Sequence, residues 1–268
     1  MKKMLALLAT TAVCLLGSML SVSAAREAAV IDVSKASEGI VSVQYTEPIK
    51  KTIKVRVEKD KVMYDYYLTN NDVANFPLQS GAGTYKIIVA ENVSGTTFRV
   101  VKTETVKVDK LDEKKVFTNS IQLINFNGKM VSIVELNKLV AAAKTDRDKL
   151  DIIYKYMVNN FTYDFDKVDM VQATATYVPV IDSVYAAKKG ICYDYASLFA
   201  AILRANNIPA KLDMGYFTKI DVYHAWNEVL VDGEWMIIDT TYDSQANEYK
   251  LTYTMKKDAK EFKVVKQY

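Results

Sequence analysis

Residues 223–239 read Tyr223-His224-Ala225-Trp226-Asn227-Glu228-Val229-Leu230-Val231-Asp232-Gly233-Glu234-Trp235-Met236-Ile237-Ile238-Asp239. Asp232-Gly233 between two apolar runs is a two-residue hairpin signal, because both residue types accept the positive φ that a type I′ turn requires. That turn sets Val231 opposite Glu234, and so His224 opposite Thr241 and Asp239 opposite Trp226. His224 and Asp239 then share one face as diagonal neighbours, roughly 7–8 Å apart along the backbone. A carboxylate can span that gap to an imidazole nitrogen. A slip of one residue would put them on opposite faces.

Upstream, Gly190-Ile191-Cys192-Tyr193-Asp194-Tyr195-Ala196-Ser197-Leu198 opens a helical pattern. Cys192, Tyr195, Ala196, Phe199, Ala200 and Leu203 recur at spacings of three and four. Asn206-Asn207 stops the helix, and Ile208-Pro209 leads outward. A cysteine at a helix start meets unpaired N–H groups and the positive end of the dipole, both of which favour a thiolate. The same N–H groups can stabilise an oxyanion. A buried, inert Cys192, a half-buried strand histidine and a turn-forming Asp239 are each ordinary readings. Their convergence on one helix start and one hairpin face makes a nucleophile, base and orienting carboxylate the sharper one.

The chain has 268 residues, two cysteines, one histidine and a formal charge of +3. Half of it is hydrophobic and a quarter charged, as in a packed globular protein, and the length can hold two domains. Nothing in the charge balance calls for nucleic acid. Lys2-Lys3, an apolar run to about Leu20 and Ser21-Val22-Ser23-Ala24-Ala25 form a secretory signal pattern over 1–24, cleaved after Ala24 or Ala25. An uncleaved anchor is the alternative, and with it a membrane attachment. Export would remove Cys14 and leave Cys192 without an intramolecular partner. One cysteine and one histidine make no Cys/His metal site, no Gly-rich phosphate loop is present, and no cofactor is expected.

Residues 26–115 read as an all-β sandwich. Period-two alternation marks strands at 40–45, 52–57, 85–89 and 97–101, with Lys59-Asp60, Asn70-Asn71 and Gly81-Ala82-Gly83 as breaks. Phe76-Pro77-Leu78 through Gly81, Gly83 and Tyr85 resembles the middle of immunoglobulin-like modules of secreted bacterial proteins. The charged run 107–115 marks the boundary to a second domain, 116–268. There a helix is expected from Ser132, with Val134, Leu136, Leu139, Val140 and Ala143 apolar. Another runs over 146–160, with Leu150, Ile153, Tyr154 and Met157 on one stripe. Residues 165–185 show no periodicity and read as a loop shaping a groove. Strands follow at 210–217, 223–231, 234–240, 248–254 and 262–266. Helices followed by an antiparallel meander make an α+β domain.

The Cys192 segment, Leu203-Arg204 with Ile208-Pro209-Ala210, Tyr223 through Val229, and Asp232-Gly233-Glu234-Trp235 through Asp239-Thr240-Thr241 together resemble the transglutaminase-like superfamily over about 130–255. The resemblance implies a papain-related core, a Cys-bearing helix packed on an antiparallel sheet. It implies Cys192 as nucleophile, His224 as base and acid, and Asp239 as the orienting group. The upstream tryptophan that donates to the oxyanion in animal members has no counterpart. Tyr163, Tyr193 and Trp226 are the candidates for that role or for the groove, Trp226 reading more readily as packing. The implied activity is acyl transfer through a Cys192 thioester on a peptide bond or glutamine amide, with water or an amine as acceptor. The expected partners are a protein or peptide substrate, a cell-wall peptide among them, outside the cell. The rival reading is a non-catalytic surface scaffold that keeps the fold.

Overall fold

A computed structural model describes residues 27–172, 174 and 176–268. The stretch read as an export signal lies outside the described residues. Among those described, no helix is long and apolar enough to cross a membrane.

The first part of the chain is built of β1 (Ala29–Asp32), β2 (Ile40–Tyr45), β3 (Ile53–Lys59), β4 (Val62–Leu68), β5 (Ala74–Pro77), β6 (Gly83–Ser94) and β7 (Thr97–Val108). They form two antiparallel sheets, ordered β1-β2-β5 and β4-β3-β6-β7. Alternation sends Val41 and Val43 from one sheet, and Val55, Ile87 and Val89 from the other, into the apolar core. The Tyr85 hydroxyl donates to the carbonyls of Leu78 and Gly81, at 3.0 and 2.7 Å. That fastens the turn where Gly81 takes a φ of 76°, a conformation glycine adopts without strain.

The rest comprises α1 (Glu113–Val116), α2 (Val131–Val140), α3 (Asp146–Asn160), β8 (Thr162–Tyr163), α4 (Phe165–Gln172), α5 (Ile181–Ala187), β9 (Lys189–Gly190), α6 (Cys192–Ala205), β10 (Ala210–Phe217), β11 (His224–Val231), β12 (Glu234–Ile238), α7 (Thr240–Glu248) and β13 (Phe262–Gln267). Helix α6 packs on an antiparallel sheet ordered β12-β11-β10-β13. It is buried on nearly every side, from Asp194 to Arg204, so its expected stripe is only part of its buried surface. Arg204, 2% exposed, donates to the carbonyls of Ala210, Asn119 and Tyr268 at 2.8, 2.8 and 3.0 Å. One guanidinium thus joins the end of α6 to the connector after α1, to β10 and to the segment following β13.

Four expectations need correction. Residues 165–185 are not a loop: they contain α4 and most of α5, each about two turns long, too short for a helical period to show. On α2 the buried face is Ile133, Leu136 and Val140, while Val134 and Leu139 are 38% and 47% exposed. The phase is set by Ser132, whose N–H and hydroxyl both donate to the Asp182 carboxylate from α5. Residues 248–254 form no strand, and β12 stops at Ile238 rather than running to Thr240. The cause is Asp239, whose side chain accepts the Tyr242 N–H at 2.9 Å and starts α7 there. A capping side chain outweighed the β preference of Thr240 and Thr241.

Candidate active site

The hairpin turn sets the register that places His224. Asp232 and Gly233 both have positive φ, 54° and 84°, and Val231 pairs with Glu234 through to Asn227 with Ile238. The expected pairs of His224 with Thr241 and Trp226 with Asp239 do not form, because the chain has already turned into α7. His224 and Asp239 meet all the same. His224 Nε2 is 2.7 Å from Asp239 Oδ2, with the side chains 5% and 0% exposed. Asp239 arrives as a helix cap, its Oδ1 on Tyr242 and its Oδ2 on the imidazole.

Cys192 is the first residue of α6 and is half-buried. Its thiol lies near enough to the His224 ring to act on the charge of the imidazole. With Nε2 on Asp239, the free ring nitrogen Nδ1 is the one left to face sulfur. Burial penalises charge on this imidazole, yet the Asp239 carboxylate and the Cys192 thiol outweigh it and raise His224 to about 10. That favours an imidazolium over a neutral ring at neutral pH.

Four buried bonds fix the surrounding elements against one another. Asn227 on β11 donates to the Ala196 carbonyl in α6 at 3.0 Å and to the Lys211 carbonyl in β10 at 2.8 Å. Ser244 on α7 donates to the Phe161 carbonyl at 2.6 Å and lies 3.2 Å from the Tyr195 hydroxyl of α6. Behind Asp239, the buried Asp243 accepts from Tyr154 at 2.8 Å and from Lys257. Burial first, against Lys257 and Tyr154, leaves Asp243 raised to about 6.

The three secondary candidates are placed differently. Tyr163 pairs with Gly190 across the short parallel ladder of β8 and β9. Burial and then the charge of Cys192 push its phenol up to about 12, so it stands protonated beside the thiol as a potential donor. Tyr193 turns away, its ring edge-on to Tyr177 at 6.0 Å, in a cleft that Tyr66, Met214 and Tyr268 also line. Trp226 is 1% exposed, stacked 6.2 Å from the His224 ring and packed on Phe262. It is a backing for the imidazole, not a groove residue.

Sequence reasoning passed over Asn227, Asp194 and Ser244 as site supports. Asn227 carried a signal, a polar residue amid the apolar positions of a core strand. Asp194 carried another, an acid in the first turn of a helix whose neighbours are apolar. Among the described residues, no group of three or more His, Cys, Asp or Glu side chains is arranged to hold a metal.

Residues 136–240 match the family model of the transglutaminase-like superfamily. Cys192 and His224 lie inside the matched segment, and Asp239 lies one residue from its end. A UPF0252 protein of Methanocaldococcus jannaschii is 34% identical over 116 residues, 40% of this chain and 33% of that protein. The match thus spans about a third of the relative's length. Among solved structures, the periplasmic domain of TgpA from Pseudomonas aeruginosa bound to ethylmercury aligns at 14% identity and a TM-score of 0.39, covering 74% of this chain and 92% of that one. Red sea bream transglutaminase aligns at 14% identity and a TM-score of 0.33, covering 75% and 47%.

Proposed function

We propose that this protein is an exported, cysteine-dependent acyl-transfer enzyme acting on peptide or glutamine amide bonds. The observation that carries the reading is His224 bound to the Asp239 carboxylate, with the Cys192 thiol near enough to act on its charge. An inert core has no need to join a half-buried thiol to a buried, carboxylate-bound imidazole.

The Cys192 thiolate attacks the amide carbonyl carbon and forms a tetrahedral oxyanion. The helix-initial N–H of Cys192 donates to that oxyanion, with the Tyr163 hydroxyl as the second donor. The imidazolium gives its proton to the leaving amine, the C–N bond breaks, and a thioester remains. His224, now neutral, takes a proton from the acceptor as it attacks the thioester and frees the thiolate. Asp239 keeps the ring oriented and stabilises its charged form throughout. Water competes with an amine wherever the thioester is not shut away from solvent. The partial exposure of Cys192 supports hydrolysis ahead of cross-linking.

We read the two sheets of residues 29–108 as an immunoglobulin-like module joined to this domain, and the first 24 residues as the export signal. The expected site of action is the cell exterior, with a protein or cell-wall peptide as substrate.

A thiol probe and a peptide-amidase assay test the function. Cys192 should alkylate faster than a free cysteine at acid pH, and Cys192→Ala should abolish both hydrolysis and amine transfer. Alkylation no faster than at a buried control thiol, with activity unchanged in Cys192→Ala, would leave the scaffold reading.

A further inference from the structure

Two wholly buried acids each hold a lysine. Asp194 takes Lys167 Nζ at 2.7 Å, with the Tyr177 hydroxyl donating to it as well, and so joins α6 to α4 and to the stretch before α5. Asp243 takes Lys257, at the turn that carries Asp239. Lys257 comes from residues 249–261, the connection from α7 to β13, most of which is exposed. Its own side chain turns inward and is 6% exposed. Burying an ammonium and a carboxylate costs solvation that their attraction roughly offsets, so such a pair adds little stability over apolar side chains of the same size. What it supplies is a fixed geometry, and the contacts of Lys257 show where that geometry is applied.

Lys257 meets the Asp239 turn at three points. Its N–H donates to the Ile237 carbonyl at 3.0 Å, two residues before Asp239. Its ammonium lies 5.5 Å from the centre of the Tyr242 ring, three residues after Asp239. The same ammonium donates to Asp243 Oδ1, four residues after, and to the Thr254 carbonyl of its own segment. Asp243 is held in turn by its N–H on the Asp239 carbonyl at 3.1 Å and by the Tyr154 hydroxyl on its Oδ2 at 2.8 Å. Between these points stands Asp239, whose Oδ1 takes the Tyr242 N–H and whose Oδ2 lies 2.7 Å from His224 Nε2. Packing gives a parallel route: Tyr242 is edge-on to Phe217 at 5.2 Å, and Phe217 stacks on His224 at 6.4 Å.

A carboxylate orients an imidazole only while its own place is held closely, and a misplacement of about 1 Å costs about a hundredfold in rate. The change from strand to helix at Asp239 is a bend that would open if its two ends parted. One residue ties both ends. We propose that Lys257 is a positioning residue of the active site, which clamps the strand-to-helix turn at Asp239 and so fixes that carboxylate against His224.

The inference rests on His224 being the base of the proposed reaction, and a readout on the imidazole itself separates the two. The chain has one histidine, so labelling the full chain with 15N-histidine gives a single ring to follow by NMR. A ring N–H bonded to a carboxylate resonates far downfield and exchanges slowly with water. In Lys257→Met, which keeps the backbone bond to Ile237, that proton should move upfield and exchange faster, and kcat should fall about tenfold with KM unchanged. Lys257→Gln keeps a donor without the full reach and should move the signal the same way by less, so it serves if Lys257→Met does not fold. Lys257→Met/Asp243→Asn removes the acid left without its cation. The clamp is still absent there, so the ring proton should stay displaced. Val55→Ala opens a cavity in the sheet β4-β3-β6-β7, where Val55 is wholly buried, and should lower the melting temperature while leaving the ring proton in place. An unmoved ring proton in Lys257→Met, its return in the double variant, or an equal displacement in Val55→Ala overturns the proposal. A wild-type chain without hydrolysis or amine transfer fails the functional reading, whereas an active chain whose ring proton ignores Lys257→Met fails this proposal alone.

Discussion

Asp239 binds His224 from the capping position just before a helix, not from the strand that leads to it. Its Oδ2 lies 2.7 Å from His224 Nε2 while its Oδ1 caps the Tyr242 N–H. The imidazole is therefore oriented by a group whose own rotamer is fixed by a backbone bond, independent of strand register beyond Ile238.

Asp239→Asn separates these two duties. Asparagine caps a helix about as well as aspartate, so thermal stability should change little. It cannot stabilise an imidazolium, so kcat/KM should fall by roughly 10²–10⁴-fold. Asp239→Ala should add a cap loss of about 1 kcal/mol. Kinetics and melting curves on both variants check this. Equal stability losses in Asn and Ala would mean the cap contributes nothing.

The raised His224 also has a stability signature. Its folded value lies above the unfolded one, so the folded state holds the proton more tightly. The stabilisation from the His224–Asp239 pair should be fully present below about pH 6.5 and be lost as pH rises through about 10. Urea midpoints measured against pH for the wild type and Asp239→Asn should converge over that window. Parallel curves would show that the pair does not hold a proton.

Gly215 lies directly opposite His224 in the β10–β11 register. A Cβ there would stand 2.0 Å from the Lys263 carbonyl oxygen of β13 and 3.1 Å from Trp226 Cη2. Gly215→Ala should destabilise by about 1–3 kcal/mol and lower activity as well, since relief moves either β13 or the tryptophan behind the imidazole. Unchanged denaturation and turnover would show that the sheet yields freely at this point.

Arg204 has three buried carbonyl acceptors, and burial pushes its guanidinium down to about 9. Arg204→Met should destabilise by about 3 kcal/mol, because the carbonyls then lose their donor. Arg204→Lys should recover little, since an ammonium cannot fork to three separated oxygens. A variant more stable than wild type in chemical denaturation would mean the buried charge costs more than its bonds return.

The parts of this site that could be read from residues are those fixed by local chemistry. Asp232-Gly233 specifies a turn through φ alone, and Thr145 with Asp148 closes a capping box that starts α3 at the expected residue. The change from β12 to α7 was hidden because Thr240 and Thr241 favour strands, although Asp239 was a legible cap. The partnership of Asp194 with Lys167 and Tyr177 was not legible at all. It joins three segments through a loop-like stretch with no period, and only packing brings them to one point. The same holds for Arg204, whose acceptors lie on segments far apart in sequence.

The strand order β12-β11-β10-β13 has a consequence for the order in which the site is made. β10 pairs with β11 at once, through a short connection, but its other edge stays open until residues 262–267 have been synthesised. Gly215 cannot meet Lys263, nor Trp226 meet Phe262, before then. The imidazole's backing is thus one of the last long-range contacts to form, and closing a sheet on late, distant contacts is slow. A chain still being made carries His224 on an unfinished sheet, so the surroundings of the imidazole are complete only when the last strand docks.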